Sequence, residues 1–211
     1  MKCIIIANGD IRDDRQAASV IAGGDFIICV DGGARHLSRM GIVPDAVIGD
    51  LDSIGEEERL DLEEKGVRFH RHPPRKDDTD TALAVELAFS KGASEITFLG
   101  TTGCRLDHTL SAAFLLKRVL DAGIKGSVVD AHNTIYLIKD RIELSGAPGD
   151  ILSILPVSER VTGVFLEGLE YPLENTTIPF GSSLGISNRF ASERAVVRLR
   201  EGLLLVIRSR D

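Results

Sequence analysis

Over residues 1–131, short apolar runs alternate with segments of helical periodicity. The runs at 3–7, 26–30, 46–48, 67–70, 95–99 and 127–129 are rich in β-branched residues and bounded by Gly, Asp or Pro. That pattern predicts strands. Helices are expected at about 13–22, 33–40, 56–65, 79–91 and 106–122. The segment 79–91 is the clearest, with Leu83 and Leu87, and Ala84 and Ala88, four apart. Asp77, Asp78 and Thr79 precede it, and each is able to cap free helix amides. Alternation of this kind predicts an α/β domain whose mostly parallel sheet is covered by helices.

After Asn133 the periodicity changes. Short β-rich runs follow at 134–138, 141–144, 151–155, 161–166, 195–199 and 203–207. Turn residues separate them, including Pro148-Gly149-Asp150, Pro172, Pro179 and Phe180-Gly181-Ser182-Ser183. This predicts a small antiparallel sandwich or barrel. The expected organisation is therefore an α/β domain over 1–133 and an all-β domain over 134–211.

Composition narrows the function. The 211 residues carry a net charge of −7, with 5% aromatics and no Trp. Residues 1–133 hold −6 of that charge and the remainder −1. A polyanion binder needs a basic face, and stacking on single strands needs aromatics, so nucleic acid is not an expected partner. No stretch approaches the length of a membrane span, and the apolar start at 3–7 is too short for a signal peptide. Cys3, Cys29 and Cys104 are widely spaced and form no C-x-x-C pair. Neither zinc nor a disulfide is expected, and the simple reading is a reducing cytoplasm.

Ligands of open α/β sheets bind beyond the carboxyl ends of the strands. Those positions carry a recurrent chemistry here: Asn8-Gly9-Asp10, Asp31-Gly32-Gly33, Gly49-Asp50-Leu51-Asp52, Lys76-Asp77-Asp78-Thr79-Asp80 and Gly100-Thr101-Thr102-Gly103-Cys104-Arg105-Leu106-Asp107-His108. Asp50 and Asp52 point the same way in an extended segment. Their repulsion is offset well by a divalent cation, and hard oxygen ligands suit Mg²⁺. Asp80 supplies a third carboxylate. A lone Asp-x-Asp is ordinarily a solvated turn, and the acids at the neighbouring strand end are what favour a metal site. Glycines remove the Cβ that would bar backbone amides from phosphates. Arg105 offers a two-pronged phosphate clamp and Lys76 a point charge. The common phosphate-loop and dinucleotide fingerprints are absent. The glutamates of 56–64 read as solvated surface.

These segments, in this order, resemble the thiamine pyrophosphokinase (thiamine diphosphokinase) family: Asp31-Gly32-Gly33-Ala34, Pro44-Asp45, Gly49-Asp50-Leu51-Asp52-Ser53, Lys76-Asp77-Asp78-Thr79-Asp80, Gly103-Cys104-Arg105-Leu106-Asp107-His108 and Gly185-Ile186-Ser187-Asn188. The resemblance covers nearly the whole chain. It implies a three-layer α/β domain followed by a β-sandwich that helps bind thiamine. It implies transfer of a diphosphate from ATP to the thiamine hydroxyl, giving thiamine diphosphate and AMP, with Mg²⁺. It implies a homodimer with shared active sites. By motif, Asp50, Asp52 and Asp80 are the metal and phosphate-site carboxylates. Asp31, Gly32, Lys76, Asp77, Thr79, Gly103, Arg105 and Asp107 line the ATP side. Ser187 and Asn188 match thiamine contacts, and Phe190 is the candidate to stack on the thiamine ring. Cys104 departs from the family's usual Gly-Gly-Arg, which questions any positive φ at that position.

The same residues leave alternatives open. The phosphate machinery would serve a diphosphokinase for another alcohol, such as a pterin. A nucleotide or thiamine sensor without turnover would use the same groups, and so would a metal-dependent phosphohydrolase.

Overall fold

A computed structural model of the chain describes residues 1–50, 54–71 and 78–210. It divides into two compact units, Met1–Ala131 and His132–Asp211. The first contains strands β1 (Lys2–Ile6), β2 (Phe26–Val30), β3 (Ala46–Gly49), β4 (Arg68–Arg71), β5 (Glu95–Leu99) and β6 (Lys125–Val129). Its helices are α1 (Asp14–Ala22), α2 (Ala34–Met40), α3 (Glu56–Glu64), α4 (Asp80–Ser90) and α5 (Leu106–Asp121). A single 3-10 turn, Asp31–Gly33, joins β2 to α2.

The strands lie in the order β6-β5-β1-β2-β3-β4, and every pair is parallel. The order runs outward from β1 on both sides, so it reverses between β1 and β5. Ile4, Ile5, Ile6, Ile28, Cys29, Val47 and Phe98 are fully buried, as strands covered on both faces must be. Small residues let α4 approach the sheet closely, with Ala82, Ala84, Val85 and Ala88 buried.

Acids at the amino ends of the strands have a structural task. Asp25 accepts a hydrogen bond from the Lys2 amide and Asp45 one from the Ile27 amide, each at 2.7 Å. Helix starts follow the capping rule. The Asp13 carboxylate accepts from the amides of Arg15 and Gln16. Of the three candidates before α4, Thr79 is the cap, accepting from the Ala82 amide at 3.2 Å. Among the described residues no helix is long and apolar enough to cross a membrane.

The second unit holds β7 (Asn133–Ile138), β8 (Arg141–Ser145), β9 (Ile151–Pro156), β10 (Arg160–Glu167), β11 (Leu173–Pro179), β12 (Asn188–Arg189), β13 (Arg194–Arg198) and β14 (Leu204–Ser209). They form two antiparallel sheets, β12-β9-β14-β7 and β11-β10-β13-β8. Leu152, Ile154, Leu204 and Val206 from one sheet pack with Val161, Val164, Ile178 and Val197 from the other. The result is a β-sandwich. Strands β11 and β12 were not expected from the pattern. Only Ile178 of β11 is buried, so that edge strand has no apolar alternation, and β12 is two residues long.

Phe190 is among the largest fully buried side chains and belongs to this core. Its ring lies where a Cβ on Gly146 would collide with it. Truncating a buried aromatic removes its transfer free energy and leaves a cavity. Phe190→Ala is expected to lower unfolding free energy by about 3–5 kcal/mol, measured by chemical denaturation. A change under about 1 kcal/mol would mean the ring is not core.

Candidate active site

The carboxyl ends of β1, β2, β3 and β5 interlock at glycines. The Gly9 amide donates to the Gly100 carbonyl at 2.5 Å, and the Asp10 amide to the Thr102 carbonyl at 2.8 Å. A Cβ on Gly9 would collide with both carbonyls, and one on Gly100 with the Ala7 carbonyl. Gly100 also has φ of 62°, a conformation that favours glycine. One strand over, a Cβ on Gly32 would strike the Asn8 side chain, and one on Gly49 would occupy the place of the Asp31 carboxylate. Four strand ends thus meet with main chain against main chain or against short polar side chains.

Asp31 sits at the centre of this arrangement. Its φ of 44° is left-handed, a conformation uncommon outside glycine. The turn bends its carboxylate back over Gly49, beside Asp50. Asp50 lies directly after β3 and Asp80 is the first residue of α4, and both are half-buried. Thr101 is 6% exposed, and among the described residues its hydroxyl meets no hydrogen-bond partner. A buried hydroxyl without a partner is costly unless a ligand completes it.

The β1 loop is held from behind by α2. Buried His36 contacts the Gly9 carbonyl through Nε2 at 2.7 Å. Its Nδ1 lies 3.3 Å from the Arg39 guanidinium, which donates to the Asp14 carboxylate. Arg35 donates to the Asn8 carbonyl at 2.8 Å. With Arg39 donating to Nδ1, the proton belongs on Nε2, aimed at Gly9. Burial lowers the His36 pKa below its ordinary 6.5; the Gly9 carbonyl opposes this, and the Arg35 and Arg39 charges add to it.

Arg105 and Asp107 flank the start of α5 and form a two-pronged ion pair with each other in the open. The hydrogen bond from Arg105 holds the Asp107 carboxyl below the usual range. Arg105 is thus parked on a neighbour, at a surface pair of small net worth. Gly103 keeps a φ of 153°, whereas Cys104 is not among the residues with positive φ. Its backbone therefore accommodates a side chain. Cys3 is no reactive thiol, because burial, with the Asp45 charge, pushes its pKa up to about 12. Asp52, Lys76 and Asp77 lie outside the described residues. Among the described residues alone, no group of three His, Cys, Asp or Glu side chains is placed to hold a metal ion.

In the second unit, Ser187 is exposed and has φ of 56°. Asn188 is 2% exposed. Its Oδ1 accepts from the amides of Tyr171 and Arg189, and its Nδ2 donates to the Tyr171 carbonyl at 2.7 Å. The contact expected of Asn188 is therefore directed at the protein's own main chain. The stacking expected of Phe190 is corrected by its burial, since a ring in the sandwich core presents no face to a ligand. The exposed aromatic beside this motif is Tyr171, 67% exposed. Its signal in the sequence was faint: one of only two tyrosines, standing before Pro172.

A parallel sheet with carboxylates and glycines at its strand ends, in a chain that also carries a β-sandwich, defines an α/β protein whose ligand site is expected at those ends. Comparison with known proteins makes this particular. Residues 17–127 match the thiamin pyrophosphokinase catalytic domain, and residues 139–204 match the thiamin pyrophosphokinase vitamin B1 binding domain. The thiamine pyrophosphokinase of Bacillus subtilis (strain 168) is 34% identical over 194 residues, covering 87% of each chain. The crystal structure of thiamine pyrophosphokinase from Bacillus subtilis superposes with a TM-score of 0.89 at 31% identity, covering all of both chains. That of thiamin pyrophosphokinase from Geobacillus thermodenitrificans gives 0.85 at 29% identity, over 100% of this chain and 98% of that one. The chain belongs to the thiamine pyrophosphokinase family.

The neutral imidazole between Gly9 and Arg39 generates a pH prediction. A histidine whose folded pKa lies below its unfolded value of 6.5 contributes stability above that value. The contribution is lost as pH falls through the lowered folded pKa. His36→Gln keeps a neutral donor at every pH. It is expected to flatten the loss of thermal stability between about pH 7 and 5. Parallel profiles for the two proteins would refute this role.

Proposed function

We propose that the chain transfers a diphosphate group from ATP to the hydroxyl of thiamine, yielding thiamine diphosphate and AMP. The observation that carries this reading is the set of adjoining strand ends at which Asp31 lies against Gly49, just before Asp50, and Gly9 crosses Gly100, just before a buried Thr101 whose hydroxyl has no partner among the described residues. Family membership over both halves of the chain supplies the substrates.

The carboxylates of Asp50, after β3, and Asp80, at the start of α4, are hard oxygen donors, and Mg²⁺ takes one or two such groups together with phosphate oxygens and water. Asp50, Asp52 and Asp80 are the carboxylates that would hold that ion. When bound, it neutralises phosphate charge. The chain's own groups do the rest. Asp31, Gly32 and Gly103 bring main chain and carboxylate close to the polyphosphate. Thr79 caps the helix that carries Asp80, and Asp77 precedes it. Lys76 and Arg105 offset charge as the bond between the β-phosphorus and the AMP oxygen breaks. Arg105 reaches the phosphates by leaving Asp107, an exchange of one exposed partner for a better one. The thiamine oxygen bonds to the β-phosphorus as its proton passes to a carboxylate, Asp52 or Asp80. Catalysis of this kind is positioning and charge neutralisation.

Thiamine carries a cationic thiazolium ring. An exposed tyrosine ring on a fixed frame is a suitable face for it, and Tyr171, with Ser187 beside Asn188, is the residue set for it. A homodimer with shared active sites is part of the reading. It is supported by Leu106, Leu110 and Phe114, spaced four apart on α5 and each exposed. A cytoplasmic setting is supported by three cysteines present as thiols, two of them buried.

The test is incubation of the purified chain with ATP, Mg²⁺ and thiamine. AMP should form only when thiamine is present, in step with thiamine diphosphate. Asp50→Asn and Asp52→Asn should each reduce kcat at least about 100-fold while the far-ultraviolet circular dichroism is retained. AMP formation without thiamine would point to hydrolysis, and near-normal turnover in both variants would reject the carboxylate site. The dimer has its own check. The chain should sediment as a dimer, and Phe114→Glu should shift it toward monomer; a monomeric parent would remove that part of the reading.

A further inference from the structure

We infer that Asn188 acts on thiamine through Tyr171, as a positioning residue that locks an exposed aromatic ring, and not as a ligand contact. This rests on the placement of thiamine at Tyr171 in the proposed function.

The geometry is that of a side chain standing in for a strand. Leu169 and Phe190 form an antiparallel bridge. The next rung is the Glu170 amide donating to the Arg189 carbonyl at 2.9 Å. Beyond it the main-chain ladder stops, and the Asn188 carboxamide continues it. Oδ1 accepts from the Tyr171 amide at 3.0 Å, and Nδ2 donates to the Tyr171 carbonyl at 2.7 Å. A primary amide is the one side-chain group that reproduces the donor and acceptor of a peptide unit in that spacing.

Tyr171 is constrained from its other side as well. Pro172 follows it, and a residue before proline is confined to extended conformations. Its two main-chain hydrogen-bonding groups are thus both engaged, and its backbone angles are restricted, while its ring stays in solvent. An exposed aromatic with a free backbone loses rotational entropy when a ligand orders it. One with a locked backbone has only two side-chain torsions left to fix. The carboxamide oxygen has no capacity to spare for a substrate. Oδ1 carries two amides, the second from Arg189 at 2.9 Å, and the residue is 2% exposed. Because Asn188 is buried and Tyr171 is not, one residue supplies rigidity and the other the contact.

The chain has two tyrosines and no tryptophan, so Tyr136→Phe leaves Tyr171 as the sole long-wavelength fluorophore. In that background, Asn188→Ala and Asn188→Asp should lower the tyrosine anisotropy. Either should raise the KM for thiamine about tenfold, with the KM for ATP and kcat nearly unchanged. Two variants are used because the aspartate keeps the size and the acceptor while replacing the donor to the Tyr171 carbonyl with a charged acceptor oxygen. The decisive comparison adds Tyr171→Ala. It should raise the thiamine KM alone, and Asn188→Ala in that background should add nothing further. Additive effects would show that Asn188 works independently of Tyr171 and would overturn the inference. So would an unchanged thiamine KM in both Asn188 variants while Tyr171→Ala remains impaired, an outcome that leaves the placement of thiamine standing. A silent Tyr171→Ala would instead remove the placement, and the inference with it.

Discussion

The close crossing of β1 and β5 at their carboxyl ends is the constraint on which the first unit's site depends. The Gly9 amide meets the Gly100 carbonyl, and neither residue has room for a Cβ. Parallel neighbours ordinarily separate where their connections leave the sheet. Here they stay in contact for two further residues, through the Asp10 amide and the Thr102 carbonyl. This occurs where the strand order reverses, the position at which open sheets bind ligands. Glycine is required on steric grounds at both residues. At Gly100 the positive φ adds a second reason.

That crossing orders the charges around it. Asn8 fills the space above Gly32, Asp31 fills the space at Gly49, and Asp50 follows. The left-handed turn at Asp31 is strain of the kind that persists where surrounding packing fixes it. His36, Arg39 and Asp14 form the supporting chain beneath, with Arg35 on the Asn8 carbonyl. A net charge of −7 therefore conceals different kinds of acid. Asp25 and Asp45 finish strands at the end of the sheet away from the site, and Asp14 anchors Arg39. Asp31 and Asp50 face the strand-end cradle. In the proposed function it is the last kind that draws a polyphosphate, with a cation between them.

Much of this was legible in the sequence because the periodicities are local. The β-branched runs located the six strands of the first unit, and Thr79 was among the caps anticipated for α4. The Gly and Asp residues after each strand marked the end at which a site is expected, since topology fixes which end of a parallel strand is open. Three features were illegible for physical reasons. The β11 strand is a polar edge with one buried residue. Phe190 and Tyr171 are both aromatics near one motif, and only the register of the 169–171 segment against 188–190 decides which ring turns inward. His36 has no periodic signature, because its partner is the carbonyl of Gly9, 27 positions away.

The central claim is that the strand-end site moves two phosphates as one unit. It is tested most directly with ATP carrying ³²P at the β-position, in the presence of Mg²⁺ and thiamine. The account predicts that the label appears in thiamine diphosphate, on the phosphorus bonded to the thiamine oxygen, and that AMP is unlabelled. Label recovered in ADP, or in inorganic pyrophosphate, would contradict it.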